Sequence, residues 1–273
     1  MAIELGKIGI WRSATQTNGE FAAEVEKLGY GTMWLGGSPG GDLAIVEELL
    51  DATEHLVVAT GIVNIWADAP EPIAKAFHRI EGKHPGRFLL GIGAGHPEAT
   101  QQYTKPYAAL VDYLDALDAA GVPRESRVLA ALGPKVLKLA GERTAGAHPY
   151  LTTPEHTRTA REILGDGAVL APEQKVVLDT DVARAREVGR KTVQFYLRLS
   201  NYTANLRKLG FTDEDLADGG SDRLVDALAL HGDAATIATG VRAHLEAGAG
   251  HVNIQVLGED PFPAYRALAD LLL

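Results

Sequence analysis

Short apolar runs rich in β-branched residues alternate along the chain with longer stretches of helical periodicity. The run at 57–65 has no polar alternation, which is typical of a strand covered on both faces. Such alternation of strand and helix patterns predicts βα units around a parallel sheet. The predicted strands cover residues 7–11, 32–35, 57–65, 88–92, 127–132, 145–151, 168–171 with a continuation to 178, and 251–257.

About eight strands are predicted, the number that closes a (β/α)8 barrel, and 273 residues suit one such domain spanning 1–273. Helical patterns predict a longer connection after the seventh strand, a helical insertion at 181–230. We expect this insertion to build a pocket wall or a subunit contact. The other predicted helices cover 19–28, 43–53, 72–81, 101–120, 134–142 and 154–164.

Composition narrows the functional classes. The chain has no cysteine and a formal net charge of −10, so we expect neither disulfides nor nonspecific binding to nucleic acid or anionic lipid. No apolar run reaches the ~18 residues of a membrane span, and the first residues do not resemble a secretory signal. We therefore expect a cytoplasmic protein.

A glycine-rich turn, Gly91-Ile92-Gly93-Ala94-Gly95-His96, follows the predicted fourth strand. Gly93, Ala94 and Gly95 would let the backbone approach a planar ring or a phosphate, or would simply serve a tight barrel turn. The turn lacks the final spacing of the dinucleotide fingerprint, and no acidic residue ends a second strand about twenty residues later.

Two further loops lie at predicted strand ends, on the edge where α/β barrels place their active sites. Gly36 and Gly37 follow the second strand with backbone available to a ligand, while Asp42 nearby is expected to cap a helix. After the sixth strand, Thr152 and Thr153 precede a proline-started helix. Their hydroxyls and the helix dipole suit a phosphate, although Thr153 could serve only as a helix cap.

Several kinds of catalytic site are not indicated. The nine histidines do not form the His-Glu-x-x-His pattern, so we expect no metal site. No Gly-x-Ser-x-Gly elbow is present, and paired carboxylates are missing from the strand ends. His96 and His148 lie at predicted strand ends. This edge suits an aromatic cofactor better than acid–base hydrolysis.

Together, these segments resemble the luciferase-like flavin and deazaflavin oxidoreductases, most closely the branch that depends on coenzyme F420. The resemblance extends over nearly the whole chain. The segments that carry it lie at 29–35, 59–66, 86–93, 130–135, 139–140, 146–150 and 195–211.

The resemblance implies a (β/α)8 TIM barrel with an insertion after strand 7 and a cofactor lying across the carboxyl edge. The ring would lie over Asn64, Ile65 and Trp66, where relatives have a non-proline cis peptide. The fourth-strand turn would lie near the ring and ribityl chain. The phosphate-binding segment of the family would correspond to His148, Pro149, Tyr150, Thr152 and Thr153.

This chain departs from the family at the positions of catalytic acids. Many F420-dependent relatives have a histidine or an acidic residue just after the second strand, where this chain has Gly36-Gly37-Ser38. The fourth-strand turn also lacks a carboxylate that some relatives use as a proton donor. His96 is the remaining candidate for a catalytic proton donor.

The leading hypothesis is an oxidoreductase that transfers hydride between F420 and a small organic substrate. One alternative is the same barrel using FMN as a monooxygenase or reductase, and another is a non-catalytic deazaflavin-binding protein. The resemblance also implies a homodimer. The stretch 192–211, with Tyr196, Tyr202 and Phe211, would be a contact or ordinary core.

Overall fold

The computed structural model describes residues 3–99 and 103–273. Within them, eleven strands form one parallel sheet. The strands are β1 (Ile8–Ser13), β2 (Thr32–Gly36), β3 (Val57–Thr60), β4 (Val63–Asn64), β5 (Phe88–Gly93), β6 (Arg127–Leu129), β7 (Gly146–Ala147), β8 (Val169–Leu170), β9 (Glu173–Leu178), β10 (Ala229–Gly232) and β11 (Val252–Val256).

Within the described residues, twelve α-helices lie between or after these strands. They are α1 (Gly19–Lys27), α2 (Ala44–Asp51), α3 (Pro70–Lys83), α4 (Pro106–Ala119), α5 (Pro134–Arg143), α6 (Pro154–Leu164), α7 (Val182–Tyr196), α8 (Ser200–Lys208), α9 (Asp213–Leu216), α10 (Asp222–Leu228), α11 (Ala234–Glu246) and α12 (Phe262–Leu272). None of them is long and apolar enough to cross a bilayer.

Local signals explain where several helices begin. Proline occupies the first turn of α3, α4, α5 and α6, where its missing N–H costs no helical hydrogen bond. The Asn18 side chain accepts a hydrogen bond from Phe21 N–H at the start of α1. Residues 101 and 102 of the predicted fourth helix lie outside the described residues, and α4 itself begins at Pro106.

The sheet closes into a barrel at the segment 169–178. Its first part, β8, pairs with β7, and its second part, β9, pairs with β11. Ala171 N–H donates to Ala147 O at 2.9 Å, on the β7 side. Asn253 N–H donates to Pro172 O at 2.9 Å, and β11 pairs in turn with β1. The predicted (β/α)8 barrel is confirmed, with β3 and β4 as one interrupted strand and β8 and β9 as another.

The third strand is interrupted, contrary to the continuous strand expected at 57–65. Thr60 lies opposite Leu35 of β2, whereas Val63 lies opposite Ile92 of β5. The break between these two ladders contains a non-proline cis peptide bond between Gly61 and Ile62. The bond expected at 64–66 thus lies earlier, where the third strand ends its pairing with β2 and continues beside β5 alone.

Strand predictions were also wrong at other places. The sixth strand is limited to β7, and the following Pro149 has no N–H to continue the ladder. Residues 229 and 230 belong to β10 rather than to a helix. They do so because Ala229 pairs with Lys175 at the free edge of β9, and tertiary pairing overrides local helix propensity.

The main apolar core lies between the sheet and the surrounding helices. The buried side chains of Leu49, Phe77, Leu114, Leu137 and Val241 illustrate the inward faces of α2, α3, α4, α5 and α11. Because the strands are parallel, their carboxyl ends all meet at one edge of the barrel, the edge where α/β barrels place their active sites.

Candidate functional site

A cavity of about 680 Å³ lies at the carboxyl ends of the strands, within the range typical of ligand sites. Segment 195–208 forms one wall of it, one of the two roles expected for the insertion. The barrel contributes Trp11, Gly37, Ser38, Gly61, Ile62, Asn64, Ala94, Gly95, His96, Tyr103, Pro106, Tyr107, Leu110, Ala130, Ala131, Leu132, Gly133, Lys135, Val136, His148 and Tyr150, and the insertion contributes Phe195, Tyr196, Leu199, Asn201, Tyr202, Ala204, Asn205 and Lys208.

The structure brings half of the predicted site residues together around this cavity. Those that line it are Gly37, Asn64, Ala94, Gly95, His96, His148 and Tyr150. The other half lie outside the lining and are Gly36, Ile65, Trp66, Gly93, Pro149, Thr152 and Thr153.

Trp66 and Ile65 support the lining from behind. The Trp66 indole N–H donates to Ala94 O at 2.7 Å, and Ile65 N–H donates to Gly93 O at 3.1 Å. These bonds connect the end of the third strand to the glycine-rich turn. The two residues therefore hold the turn in place rather than offering their own side chains to a ligand.

Glycines at this edge are required by close packing. A Cβ on Gly36 would lie 1.8 Å from the Trp11 ring, and one on Gly93 would lie 2.9 Å from Ile62 Cδ1. Gly95 has φ +60°, and a Cβ there would lie 2.8 Å from Asn64 Nδ2. Glycine 36 thus allows Trp11 to reach its position in the cavity wall.

His96 connects the barrel edge to the insertion. Its Nδ1 lies 2.9 Å from Asn201 Oδ1, and its ring packs on Tyr202 with centroids 5.0 Å apart. The adjacent Glu98 carboxylate accepts a hydrogen bond from Ser200 N–H at the start of α8, at 2.8 Å. With Nδ1 donating to the Asn201 oxygen, Nε2 of His96 keeps its lone pair.

His148 is fixed in one tautomer inside the barrel. Its Nδ1 lies 2.7 Å from Ala171 O, a group that can only accept, so Nδ1 carries the proton. The ring stacks on Trp34 with centroids 4.3 Å apart. Burial lowers the pKa of His148 to about 4, so the ring is neutral near pH 7.

The predicted phosphate segment lies deeper than expected. Thr152 and Thr153 are buried, and their hydroxyls have no hydrogen-bond partner in the part of the chain that the structure describes. Thr153 occupies the N-cap position of α6, but its side chain does not cap the helix. Asp42 does accept from the helix that follows it, at 3.2 Å from Ala44 N.

The charge of the cavity lining is positive. Lys135, in the first turn of α5, and Lys208, at the end of α8, both line it. Aspartate and glutamate are absent from the lining within the described ranges. A lysine at a helix N-terminus favours a nearby anionic group, and this feature of the cavity was not predicted from sequence.

A buried polar cluster lies behind the cavity wall and was also missed. The Tyr150 hydroxyl hydrogen-bonds to the Tyr196 hydroxyl at 2.8 Å and to Gln255 Oε1 at 2.9 Å. Lys175 Nζ lies 3.9 Å from the Tyr150 ring centroid and 2.8 Å from Glu173 Oε2. The signal was present, because Glu173 and Lys175 are charged residues in a strand that otherwise continues with Val176 and Val177.

The aromatic residues of the insertion face inward in this chain. Tyr202 and Phe211 are buried, and Tyr196 and Tyr202 line the cavity. Of the two roles expected for them, the structure therefore places these three side chains in the interior. Phe195 differs, because it is 58% exposed.

Solved structures share this architecture. An F420-dependent secondary alcohol dehydrogenase, in complex with an F420–acetone adduct, matches with a TM-score of 0.77 at 16% identity and 98% coverage of each chain. The coenzyme F420-dependent tetrahydromethanopterin reductase of Methanopyrus kandleri gives 0.74 at 16% identity, over 97% of this chain and 98% of the other.

An FMN-containing structure is similar to about the same degree. The oxygenating constituent of 3,6-diketocamphane monooxygenase from Pseudomonas putida, in complex with FMN, gives 0.71 at 16% identity, over 97% of this chain and 96% of the other. At this identity, these likenesses concern the fold. A family model described as luciferase-like monooxygenase matches residues 6–251, most of the chain, and the chain therefore belongs to the luciferase-like monooxygenase family.

Proposed function

We propose that this protein is an oxidoreductase that binds coenzyme F420 in the cavity at the barrel edge. The bound cofactor supplies a deazaflavin ring that exchanges hydride with a small organic substrate. The observation that carries the proposal is the cavity itself, which is about 680 Å³ in volume and has a mostly apolar lining. Among the described residues that line it are two lysines but no aspartate or glutamate.

The lining fits a planar, polar-edged ring attached to an anionic chain. Ala130, Ala131, Leu132 and Val136 offer an apolar surface in the lining. Gly61 also lines the cavity, and a Cβ there would lie 3.1 Å from His148 Nε2 and 3.2 Å from Trp11 Nε1. Because glycine has no Cβ, this space stays open to a bound ring. The sequence resemblance to the F420-dependent branch makes F420 the first choice, and the neighbouring structures include both F420-dependent and FMN-containing proteins.

Two positions are available for the phosphate of the cofactor. One is the start of α5 with Lys135, which lines the cavity. The other is the start of α6, outside the cavity lining, where the buried hydroxyls of Thr152 and Thr153 have no partner among the described residues. A phosphate oxygen would satisfy such hydroxyls, since unpartnered buried polar groups are costly.

His96 is the proposed proton donor and acceptor of the site. Its Nδ1 is held by Asn201, which leaves Nε2 as the atom at which a proton is gained or lost. His96 lines the cavity, so a proton on Nε2 can reach a bound substrate. The missing carboxylates leave this histidine as the group most suited to the role.

Cofactor titration tests the proposal. The purified protein is titrated with F420 and, separately, with FMN, and binding is followed by cofactor fluorescence. Saturable F420 binding is the expected result. Tight FMN binding without F420 binding would make the protein an FMN-dependent monooxygenase or reductase, and failure of both would contradict the proposed cofactor site.

Turnover assays then separate an enzyme from a carrier. Substrate-dependent change in the absorbance of bound F420 is expected for an oxidoreductase. Stable binding without turnover over a broad panel of alcohols, ketones and enones would favour a deazaflavin-binding protein. The homodimer remains a prediction of family membership, and the exposed Phe195 is the residue of segment 192–211 most suited to such a contact.

A further inference from the structure

Two buried polar atoms without hydrogen-bond partners among the described residues lie near each other in the cavity wall, beside the cis peptide. Trp11 Nε1 and His148 Nε2 are buried, and neither has a hydrogen-bond partner in the described ranges 3–99 and 103–273. The two side chains are only 7% and 2% exposed. Both residues line the cavity, so the two buried nitrogens lie in its wall, beside the space that a ligand would occupy.

Gly61 brings the two atoms into one small region. A Cβ on Gly61 would lie 3.1 Å from His148 Nε2 and 3.2 Å from Trp11 Nε1, so the sum of these distances, 6.3 Å, is the upper limit of their separation. Any larger residue would place its side chain against both atoms. Glycine therefore keeps a side chain from occupying the space beside both atoms.

The two atoms have opposite hydrogen-bonding roles. The indole N–H of Trp11 can only donate. His148 donates through Nδ1 to Ala171 O, so its Nε2 can only accept while the ring is neutral. Stacking on Trp34 holds the imidazole in this orientation. The pair thus offers one donor and one acceptor, both rigidly held.

We propose that this pair recognises the imide edge of the bound cofactor ring, with the ring N–H donating to His148 Nε2 and an adjacent carbonyl accepting from Trp11 Nε1. The inference rests on the proposed function. It does not depend on the choice of cofactor, because deazaflavin and flavin rings carry the same pyrimidinedione edge. An imide supplies both required groups on neighbouring atoms, which matches two protein atoms held in one place.

A ligand-side change provides the sharpest test. Dissociation constants are measured by fluorescence titration for the cofactor that binds, F420 or FMN, and for its form methylated at the imide nitrogen N3. The wild-type protein is expected to bind the methylated form roughly tenfold more weakly, the usual effect of one well-placed hydrogen bond. Equal affinity for the two forms would overturn the inference.

Variants test whether the two side chains cause the preference for the unmodified cofactor over its N3-methylated form. His148→Phe and Trp11→Phe are each expected to weaken binding of the unmodified cofactor roughly tenfold. His148→Phe should also bind the two forms equally, because the acceptor is gone. His78→Gln, at the surface of α3, is the control and should retain the wild-type preference.

The outcomes separate this inference from the proposed function. Binding of a cofactor without preference against N3 methylation leaves the proposed function standing and overturns the imide contact. Binding of neither F420 nor FMN by the wild-type protein rejects both. Circular dichroism of each variant establishes that it is folded, and the comparison of two ligands on the wild-type chain needs no variant.

Discussion

Lys175 and Glu173 form a fully buried ion pair, with Nζ 2.8 Å from Oε2, directly behind the tyrosines of the cavity wall. Burial lowers the pKa of Lys175 and raises that of Glu173, and the attraction between the two charges opposes both shifts. Leu151 N–H also donates to the same carboxylate oxygen at 3.3 Å. The pair therefore connects β9 to the loop after β7.

Breaking this pair should destabilise the fold strongly. Glu173→Gln or Lys175→Met alone leaves an uncompensated buried charge and is expected to lower the free energy of unfolding by about 3–5 kcal/mol. The double variant should lower the free energy of unfolding by clearly less than the sum of the two single effects. Denaturant unfolding of all four proteins measures the coupling, and strictly additive effects would contradict a charge pair.

The buried histidines should make stability depend on pH. Burial lowers the pKa of His148 and of His244 to about 4, below the 6.5 of an unfolded histidine. The unfolded chain therefore takes up protons first as the pH falls. Stability is full above pH 6.5 and should fall by about 3 kcal/mol for each histidine between pH 6.5 and 4.

Unfolding by denaturant at several pH values measures this dependence. His148→Gln and His244→Gln should each flatten the loss of stability between pH 6.5 and 4. His55→Gln, at the surface, is the matched control. An unchanged slope in both buried variants would show that other groups cause any acid sensitivity.

Two buried tyrosines should respond differently to loss of their hydroxyls. Tyr30 OH donates to Tyr265 O at 2.8 Å, whereas Tyr113 OH has no partner among the residues that the structure describes. Tyr30→Phe is expected to lower the free energy of unfolding by about 1 kcal/mol, because it removes a buried hydrogen bond, and Tyr113→Phe is expected to leave it unchanged or raise it slightly. Thermal or denaturant unfolding checks both, and the reverse order would refute the assigned bonds.

The start of α5 should contribute to cofactor affinity if it holds the phosphate. Lys135→Ala is expected to weaken binding of the phosphate-bearing cofactor by about fivefold, an effect that added salt should reduce. Binding of a ring without phosphate, such as riboflavin, should not change. Lys138→Ala, on the same helix but outside the cavity lining, is the matched control.

Thr152→Val tests the other phosphate position. A loss of affinity in this variant, with Lys135→Ala unaffected, would place the phosphate at α6 instead of α5. A loss in neither variant, with intact cofactor binding, would exclude both positions.

Local pattern was enough to predict the barrel. Uninterrupted apolar runs alternating with helical periodicity indicate parallel βα units, and prolines at 134 and 154 indicate where α5 and α6 begin. Since parallel strands end at one edge, the pattern also indicated where the site lies. Gly37, Gly95 and His96 were identified in this way and Asn64 through the family resemblance, and all four line the cavity.

The tertiary structure decided what sequence spacing cannot express. The cis bond lies at Gly61–Ile62, where the third strand ends its pairing with β2 but stays beside β5, an arrangement of neighbouring strands that local sequence does not express. Trp11 and His148, 137 positions apart in the chain, become a donor and acceptor pair only when the barrel closes around Gly61. Local sequence determines which elements form, but contacts between distant strands determine which atoms are left for a ligand.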